Sequence, residues 1–331
     1  MLFDHTVSGY SAACVDYTEA ELIVMRYAPE PNWEPLVPTE RKSMLDAVAQ
    51  NLALAMCGLV TVTFAGCSVD STEDSQGVTQ VEQAAQSSVS LPGRIERGKY
   101  FTDSMDRHRK GRWYVSDGWS NGDYAMNDWR KGQAKFKGSL RLTMGTNRFS
   151  NYPFSSGEVQ SKAVHGHGYY ETTMRAARGS GLVSGFFTYT GPPFNQPWNE
   201  IDIEILGKQP DELLISYHYR DGKVAHVHKL GFDSSLSFNT YGFDWQPGFI
   251  EWYVNGEPVF RATAEDLTLP DKPQKIYMSL LGSRTLNRWA GRFDETALPA
   301  SVEYRCVGKS ESAAKSKPCW ERQMAIMGGS T

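Results

Sequence analysis

The stretch Pro197-Trp198-Asn199-Glu200-Ile201-Asp202-Ile203-Glu204-Ile205-Leu206-Gly207 alternates apolar and acidic residues strictly. A period of two belongs to a β-strand; a helix would repeat every 3.6 residues. On such a strand Ile201, Ile203 and Ile205 face a core, while Glu200, Asp202 and Glu204 line up on the other face. Like charges in a row repel, and strands are generally poor in Asp and Glu. Three carboxylates kept together against that penalty are expected to be used.

Strand signals continue on both sides. Ser139–Met144 and Tyr169–Met174 alternate, and Gly185–Thr190 is a β-rich run closed by Gly191-Pro192-Pro193. Leu213–Tyr219 meets Val224–Leu230 through Arg220-Asp221-Gly222, a hairpin signal, and Ile250–Phe260 forms another around Asn255-Gly256. Many short antiparallel strands with regular turns argue for an all-β sandwich or jelly roll. No long amphipathic helix, Gly-rich phosphate loop or internal repeat stands out.

The chain has 331 residues, room for one large domain plus appendages. Nine Trp, 16 Tyr, 15 Phe and 30 Gly suit an aromatic-rich β protein. A net charge of −4, with no basic run interleaved with aromatics, gives no reason to expect nucleic acid as a partner. Cys14, Cys57, Cys67, Cys306 and Cys319 show no C-x-x-C spacing, which argues against a thiolate zinc site. The pairs His165/His167 and His226/His228 could share a strand face and bind a metal, or simply pack.

Residues 1–43, with four prolines and no sustained period, read as a disordered extension or an over-long start. Arg41-Lys42, an apolar run from Leu52 to Ala65 and small residues before Cys67 make residues 44–67 a secretory signal. The Ala65-Gly66-Cys67 ending resembles a bacterial lipobox, implying cleavage before Cys67 and lipidation of its thiol; an ordinary cysteine is the alternative. The expected location is exported, periplasmic or in the outer membrane as a lipoprotein, otherwise secreted, with membrane contact only through the anchor. Residues 68–90 are too polar to bury a core and read as a linker. The folded domain is expected over 91–307, followed by a polar tail, 308–331. Export permits a disulfide between Cys306 and Cys319 pinning that tail; free thiols are the alternative.

Three carboxylates on one face suit glycosidic-bond hydrolysis, which needs one acid to protonate the leaving oxygen and one carboxylate across the sugar. Glu200 and Glu204 are about 13 Å apart at Cα level by strand rise, so their side chains must lean together. Asp202, between them, can hydrogen-bond a neighbour and raise the pKa of an adjacent acid.

Trp-Asn-Glu-Ile-Asp-Ile-Glu-Ile-Leu-Gly resembles the signature of glycoside hydrolase family 16, in the branch of bacterial lichenases and exopolysaccharide-processing glycanases. Tyr114–Gly122, Gly179–Gly191 and Phe243–Gly248 match the same family, so the resemblance runs from about residue 98 to 307. It implies a concanavalin-like β-jelly roll sandwich of two curved antiparallel sheets with a concave sugar cleft. By position it makes Glu200 the nucleophile, Glu204 the general acid/base and Asp202 their support. It places Phe187, Tyr189, Trp198, Tyr219 and Trp289 along the cleft, with Asn121 able to bond a sugar hydroxyl.

The departures concern sugar contacts. Gln160 stands where the family often has arginine, and Leu281 where it has a cleft tryptophan. Asp128 and Ser156 occupy the positions of a disulfide common in lichenases. Catalysis requires no cofactor on this reading, and a structural calcium is left open, with Glu303 in place of its acidic ligand. The expected activity is that of a monomeric retaining endo-β-glycanase acting on a β-linked polysaccharide: 1,3-1,4-β-glucan or a bacterial exopolysaccharide. Transglycosylation on the same substrates and a non-catalytic carbohydrate-binding surface protein are the alternatives.

Overall fold

The alternation around Glu200 forms a strand in the middle of a sheet. The computed structural model describes residues 25–26, 100–147 and 152–328. The signal at 44–67 with Cys67, the linker at 68–90 and a domain start near residue 91 all lie outside the described residues. Of the proposed extension, 1–43, only Met25–Arg26 is described.

In chain order the strands are β1 (Met25–Arg26), β2 (Phe101–Asp103), β3 (Trp113–Val115), β4 (Asn127–Trp129), β5 (Ala134–Phe136), β6 (Leu140–Thr146), β7 (Phe154–Ser156), β8 (Glu158–Ser161) and β9 (Gly168–Arg175). They continue as β10 (Leu182–Thr190), β11 (Asn199–Leu206), β12 (Glu212–Tyr219), β13 (Gly222–Lys229), β14 (Asn239–Gln246), β15 (Phe249–Val254), β16 (Glu257–Thr263), β17 (Lys275–Gly282) and β18 (Ala300–Ser310). Two short helices, α1 (Asn287–Ala290) and α2 (Pro318–Gly328), follow β17 and β18. One sheet runs β1-β13-β12-β11-β10-β17-β8-β3 and the other β16-β15-β14-β9-β18-β6-β7-β4, with β2 on β18 and β5 on β6. Among the described residues, pairing is antiparallel except between β4 and β7. The expected jelly-roll sandwich is what the chain forms.

Between the sheets lies the apolar core. Ile201, Ile203 and Ile205 are fully buried there beside Phe186, Phe243, Trp252, Met278 and Leu280. Two polar side chains of the second sheet cross the core to hold the backbone of the first. Trp252 Nε1 donates to Asp202 O at 3.0 Å, and Tyr304 Oη donates to Gly185 O at 2.7 Å. A buried carbonyl already engaged in a ladder has a second lone pair to offer, and these bonds fix the site strands from behind.

Both sequence-read hairpins form. Between β15 and β16, Asn255 and Gly256 take φ of 49° and 84°, the two left-handed residues of a type I′ turn. Only glycine fits at 256, because a Cβ there would stand 2.4 Å from Trp320 Nε1 of α2. Between β12 and β13, Tyr219 pairs with Gly222, so the turn is Arg220-Asp221 and Gly222 already belongs to the strand.

The polar tail expected from residue 308 is corrected. β18 continues to Ser310 because it pairs with β9 on one side and β2 on the other, and paired backbone tolerates polar side chains. Beyond it, Cys306 and Cys319 form the anticipated disulfide, with Cα atoms 5.7 Å apart. The buried Glu171 carboxylate accepts from Cys319 N at the start of α2, and Asp244 Oδ2 accepts from Ala313 N at 2.9 Å.

Candidate active site

Antiparallel register sets the face on which the carboxylates stand. Glu200, Asp202 and Glu204 pair with Tyr189, Phe187 and Gly185 of β10 and with His218, Ser216 and Leu214 of β12. Directly opposed residues share a face. The next strands add Lys275, Tyr277 and Ser279 of β17, then Gln160 and Glu158 of β8, and on the other flank Lys223 of β13. The acidic row thus lies in a field of aromatic, hydroxyl and amide groups with one lysine on each side.

Each carboxylate is held differently. Trp198 Nε1 donates to Glu200 Oε2 at 2.5 Å, and Trp198 stacks on the His218 ring at 5.0 Å between centroids and 7° between planes. Ser216 Oγ donates to Asp202 Oδ2 at 2.6 Å, and Asp202 also hydrogen-bonds Glu200. Glu204 accepts no hydrogen bond among the described residues. Burial, then the Asp202 charge, pushes Glu204 up to about 8 against the opposing field of Lys223. The same burial and the same Asp202 charge hold Glu200 well above the usual carboxylate range, while the Trp198 N–H favours its ionised form. Burial lifts Asp202 to about 6, opposed by Lys223 and the Ser216 hydroxyl. Ionising one member raises its neighbours, so the row keeps a proton near neutral pH. Glu200 and Glu204 are both raised, and the Trp198 N–H supports the anion at Glu200 alone.

The sequence-predicted lining divides. Phe187 and Tyr189 stand on the carboxylate face, Phe187 stacked on Tyr277 at 5.0 Å and Tyr189 edge-on to Trp198 at 6.5 Å. Asn121 Oδ1 accepts from Trp129 Nε1 at 2.8 Å, and Asn121 also bonds the Tyr124 hydroxyl. Trp289 lies in α1, and Ala290 O of that helix accepts from Gly181 N just before β10, at the Glu204 end of the row. Tyr219 is corrected: it pairs with Asn199 and so stands on the Ile201 face, opposite the carboxylates. The family-based placement missed that alternation gives the cleft face to His218 instead.

Four further residues belong to the site and were not singled out. His218 Nε2 lies 3.7 Å from Asp202 Oδ2, and burial, then Lys223, pushes its pKa down to about 3, so the ring is neutral. Tyr124 is pushed up to about 12 by burial first, then by the charge of Glu200. Tyr277 fills the gap between Phe187 and Gln160. Glu158 accepts from Ser116 Oγ at 2.7 Å, and burial raises it to about 7 despite Lys275 nearby. The alternation Glu158-Val159-Gln160 could have revealed Glu158; Tyr124, on a loop, carries no periodic signal.

Of the two readings of the paired histidines, packing is the one seen for His226 and His167. His226 packs on Phe260 at 4.3 Å and His167 on Trp245 at 4.6 Å, so those histidines are packing groups. Glu303 accepts from Ser139 Oγ at 2.5 Å and is paired with Arg175 at 2.9 Å and Arg141 at 3.4 Å. A carboxylate neutralised by two guanidinium groups does not fit a calcium ligand. Among the described residues, the one grouping of three possible ligands is Glu200, Asp202 and His218, inside the acidic row. The two positions of the lichenase disulfide carry separate bonds: Asp128 accepts from Asn147 Nδ2 at 2.8 Å, and Ser156 Oγ donates to Leu280 O at 2.5 Å.

With this row on the central strand of a β-sandwich, the sequence model for glycosyl hydrolases family 16 matches residues 121–297, more than half of the chain. The chain belongs to that family. It is 42% identical over 196 residues to a protein named beta-glucanase from Acetivibrio thermocellus, covering 58% of each chain. It is 38% identical over 212 residues to a beta-glucanase of Paenibacillus polymyxa, covering 63% of this chain and 87% of that one. The chain therefore spans 58% of the length of the first of these relatives and most of the second. Among solved structures, the Bacillus licheniformis beta-glucanase aligns with a TM-score of 0.61 at 35% identity, over 65% of this chain and 99% of that one. A prokaryotic beta-1,3-1,4-glucanase (lichenase) from a mouse hindgut metagenome aligns at 0.62 and 33% identity, over 64% and 99%. As a family 16 chain, it carries the three carboxylates on one face of its central strand.

Proposed function

We propose that the protein is a retaining endo-β-glucanase. The observation that carries this reading is the asymmetry within one row: Trp198 Nε1 donates to Glu200, while Glu204 accepts no hydrogen bond among the described residues, and on that difference we place the proton on Glu204. Glu204 protonates the glycosidic oxygen as Glu200 attacks the anomeric carbon. Asp202, fixed by Ser216, bonds Glu200 and adjusts to its change of charge. Glu204, now ionised, then deprotonates the water that releases the glycosyl-enzyme. Tyr189, Trp198 and Phe187 offer ring faces and edges to sugar rings. The relatives named beta-glucanase support a β-linked glucan as substrate.

Two residues on the site face withdraw sugar contacts and set cereal-type mixed-linkage glucan in doubt, which makes a bacterial exopolysaccharide the other substrate to test. Gln160 is spent on Lys275 Nζ (3.0 Å) and Ser116 Oγ (3.2 Å), and Leu281 offers no ring. Export and anchoring through Cys67 extend the same reading to polysaccharide at the cell surface; Cys67→Ser would then release the protein from the membrane fraction. The deciding measurement is turnover of a panel of defined β-glucans and exopolysaccharides, with the first-formed anomer followed by NMR. Retained configuration is expected, and loss of turnover in Glu200→Gln. An inverted first product removes the nucleophile role of Glu200, and full activity of Glu200→Gln removes the assignment altogether.

A further inference from the structure

Away from the carboxylates, a cavity of about 290 Å³ opens beside the start of β3, lined by Arg109, Gly111, Arg112, Ala163 and His165. Its two arginines are unequally engaged. Arg109 Nη1 is committed to Asp103 Oδ1 at 2.6 Å and Asp106 Oδ1 at 3.0 Å. Asp103 is already shared, accepting from Trp113 Nε1 and from Met105 N, both at 3.0 Å. Arg112 has only a distant claim on it, Nε to Oδ2 at 3.7 Å. Its guanidinium sits over the Phe101 ring, 3.9 Å from the centroid, and its terminal nitrogens meet no acceptor among the described residues.

The wall behind is polar and unsatisfied. His165 is 2% exposed, and its Nδ1 has no partner among the described residues. Gln274 bridges to His165 across two backbone hydrogen bonds and is wholly buried, with both side-chain amide atoms unpartnered among the described residues. Directly opposed residues have neighbouring side chains, so three orphaned polar atoms gather at one place. Buried polar groups are normally bonded, and each exception asks for a partner. Burial, with Lys309 and Arg112 nearby, pushes His165 down to about 4, which keeps the ring neutral and able to donate one N–H. The wall therefore offers guanidinium and imidazole groups, while the nearby carboxylates Asp103 and Asp106 are engaged by Arg109. The charged groups on the wall are the two arginines, which would repel a cation and attract an anion. An anion with several oxygens fits this donor set.

We propose that this cavity binds a small oxyanion (a carboxylate, sulfate or phosphate group), held by the free edge of Arg112 with Arg109 and His165 on its walls. The site is separate from the carboxylate row: Lys275 faces the row, so its neighbour Gln274 faces away from it. The test titrates the isotopically labelled full chain with sodium glucuronate, sulfate, phosphate and, at matched ionic strength, chloride, reading the Arg112 Nε–Hε and His165 ring signals by NMR. A saturable shift in at least one oxyanion arm, absent with chloride, is expected. Tightest saturation by glucuronate identifies a sugar-borne carboxylate; tightest saturation by sulfate or phosphate identifies a free ion. Arg112→Gln weakens binding roughly tenfold or more, as loss of a charge-assisted hydrogen bond does. Arg112→Lys, which keeps the charge and loses the fork, weakens it less, and Glu200→Gln binds as wild type. Shifts that follow ionic strength alone, or unchanged affinity in both Arg112 variants, overturn the proposal.

Discussion

Trp198 serves two neighbours at once, donating to Glu200 and stacking on His218. Trp198→Phe keeps an aromatic ring, though a smaller one, and removes the donor. Loss of one hydrogen bond to a charged group is expected to lower kcat/KM by roughly tenfold to a hundredfold. It should also raise the pH at which the acid limb of the profile falls, since the ionised nucleophile loses its support. A drop in kcat/KM with an unmoved acid limb would make Trp198 a packing group only. Glu204 defines the other limb. Its proton is held up to about 8, so kcat/KM should fall as pH rises through that region, where the acid is lost. Glu204→Gln should lower kcat/KM by about 10²–10⁴ and abolish the alkaline limb. A limb that persists in Glu204→Gln belongs to another group.

At the scale of elements, the tie between β9 and α2 rests on Glu171. Burial raises its pKa from 4.5 to about 7, although Cys319 N, Tyr169 Oη and Trp320 N all donate to it. The folded state therefore binds this proton more tightly than the unfolded chain. The stability it confers is complete below pH 4.5 and is lost as pH rises through 7. Glu171→Gln imitates the protonated form at every pH. In urea unfolding the variant should match wild type near pH 4 and exceed it by about 3 kcal/mol above pH 7. A gap that does not change with pH would mean the carboxyl is ionised throughout. The same element shows where patterning failed. The segment 308–328 is polar in sequence, and its order comes from β18 pairing on both sides, the disulfide and Glu171, none of which alternates or repeats.

Across the whole molecule, the second sheet holds the first through its core. Trp252 reaches over to Asp202 O, so Trp252→Phe removes a hydrogen bond and part of a fully buried ring. The expected cost is about 2–4 kcal/mol of stability, read as a lower urea midpoint at unchanged slope. Reduced kcat in the fraction that stays folded would show the coupling to the site; a normal stability would show that the core repacks freely. The strand period told from sequence which face of β11 carries acids and which carries isoleucine, because alternation is a local, covalent consequence of extended backbone. The same rule, applied one strand further, would have placed His218 rather than Tyr219 beside Glu200. Sequence alone determined the all-β class, the hairpin turns and the membership of the acidic row. Only the tertiary structure decided which carboxylate meets Trp198, which meets Ser216 and which meets no donor. Those partners come from loops and neighbouring strands, and their burial sets where the proton stays.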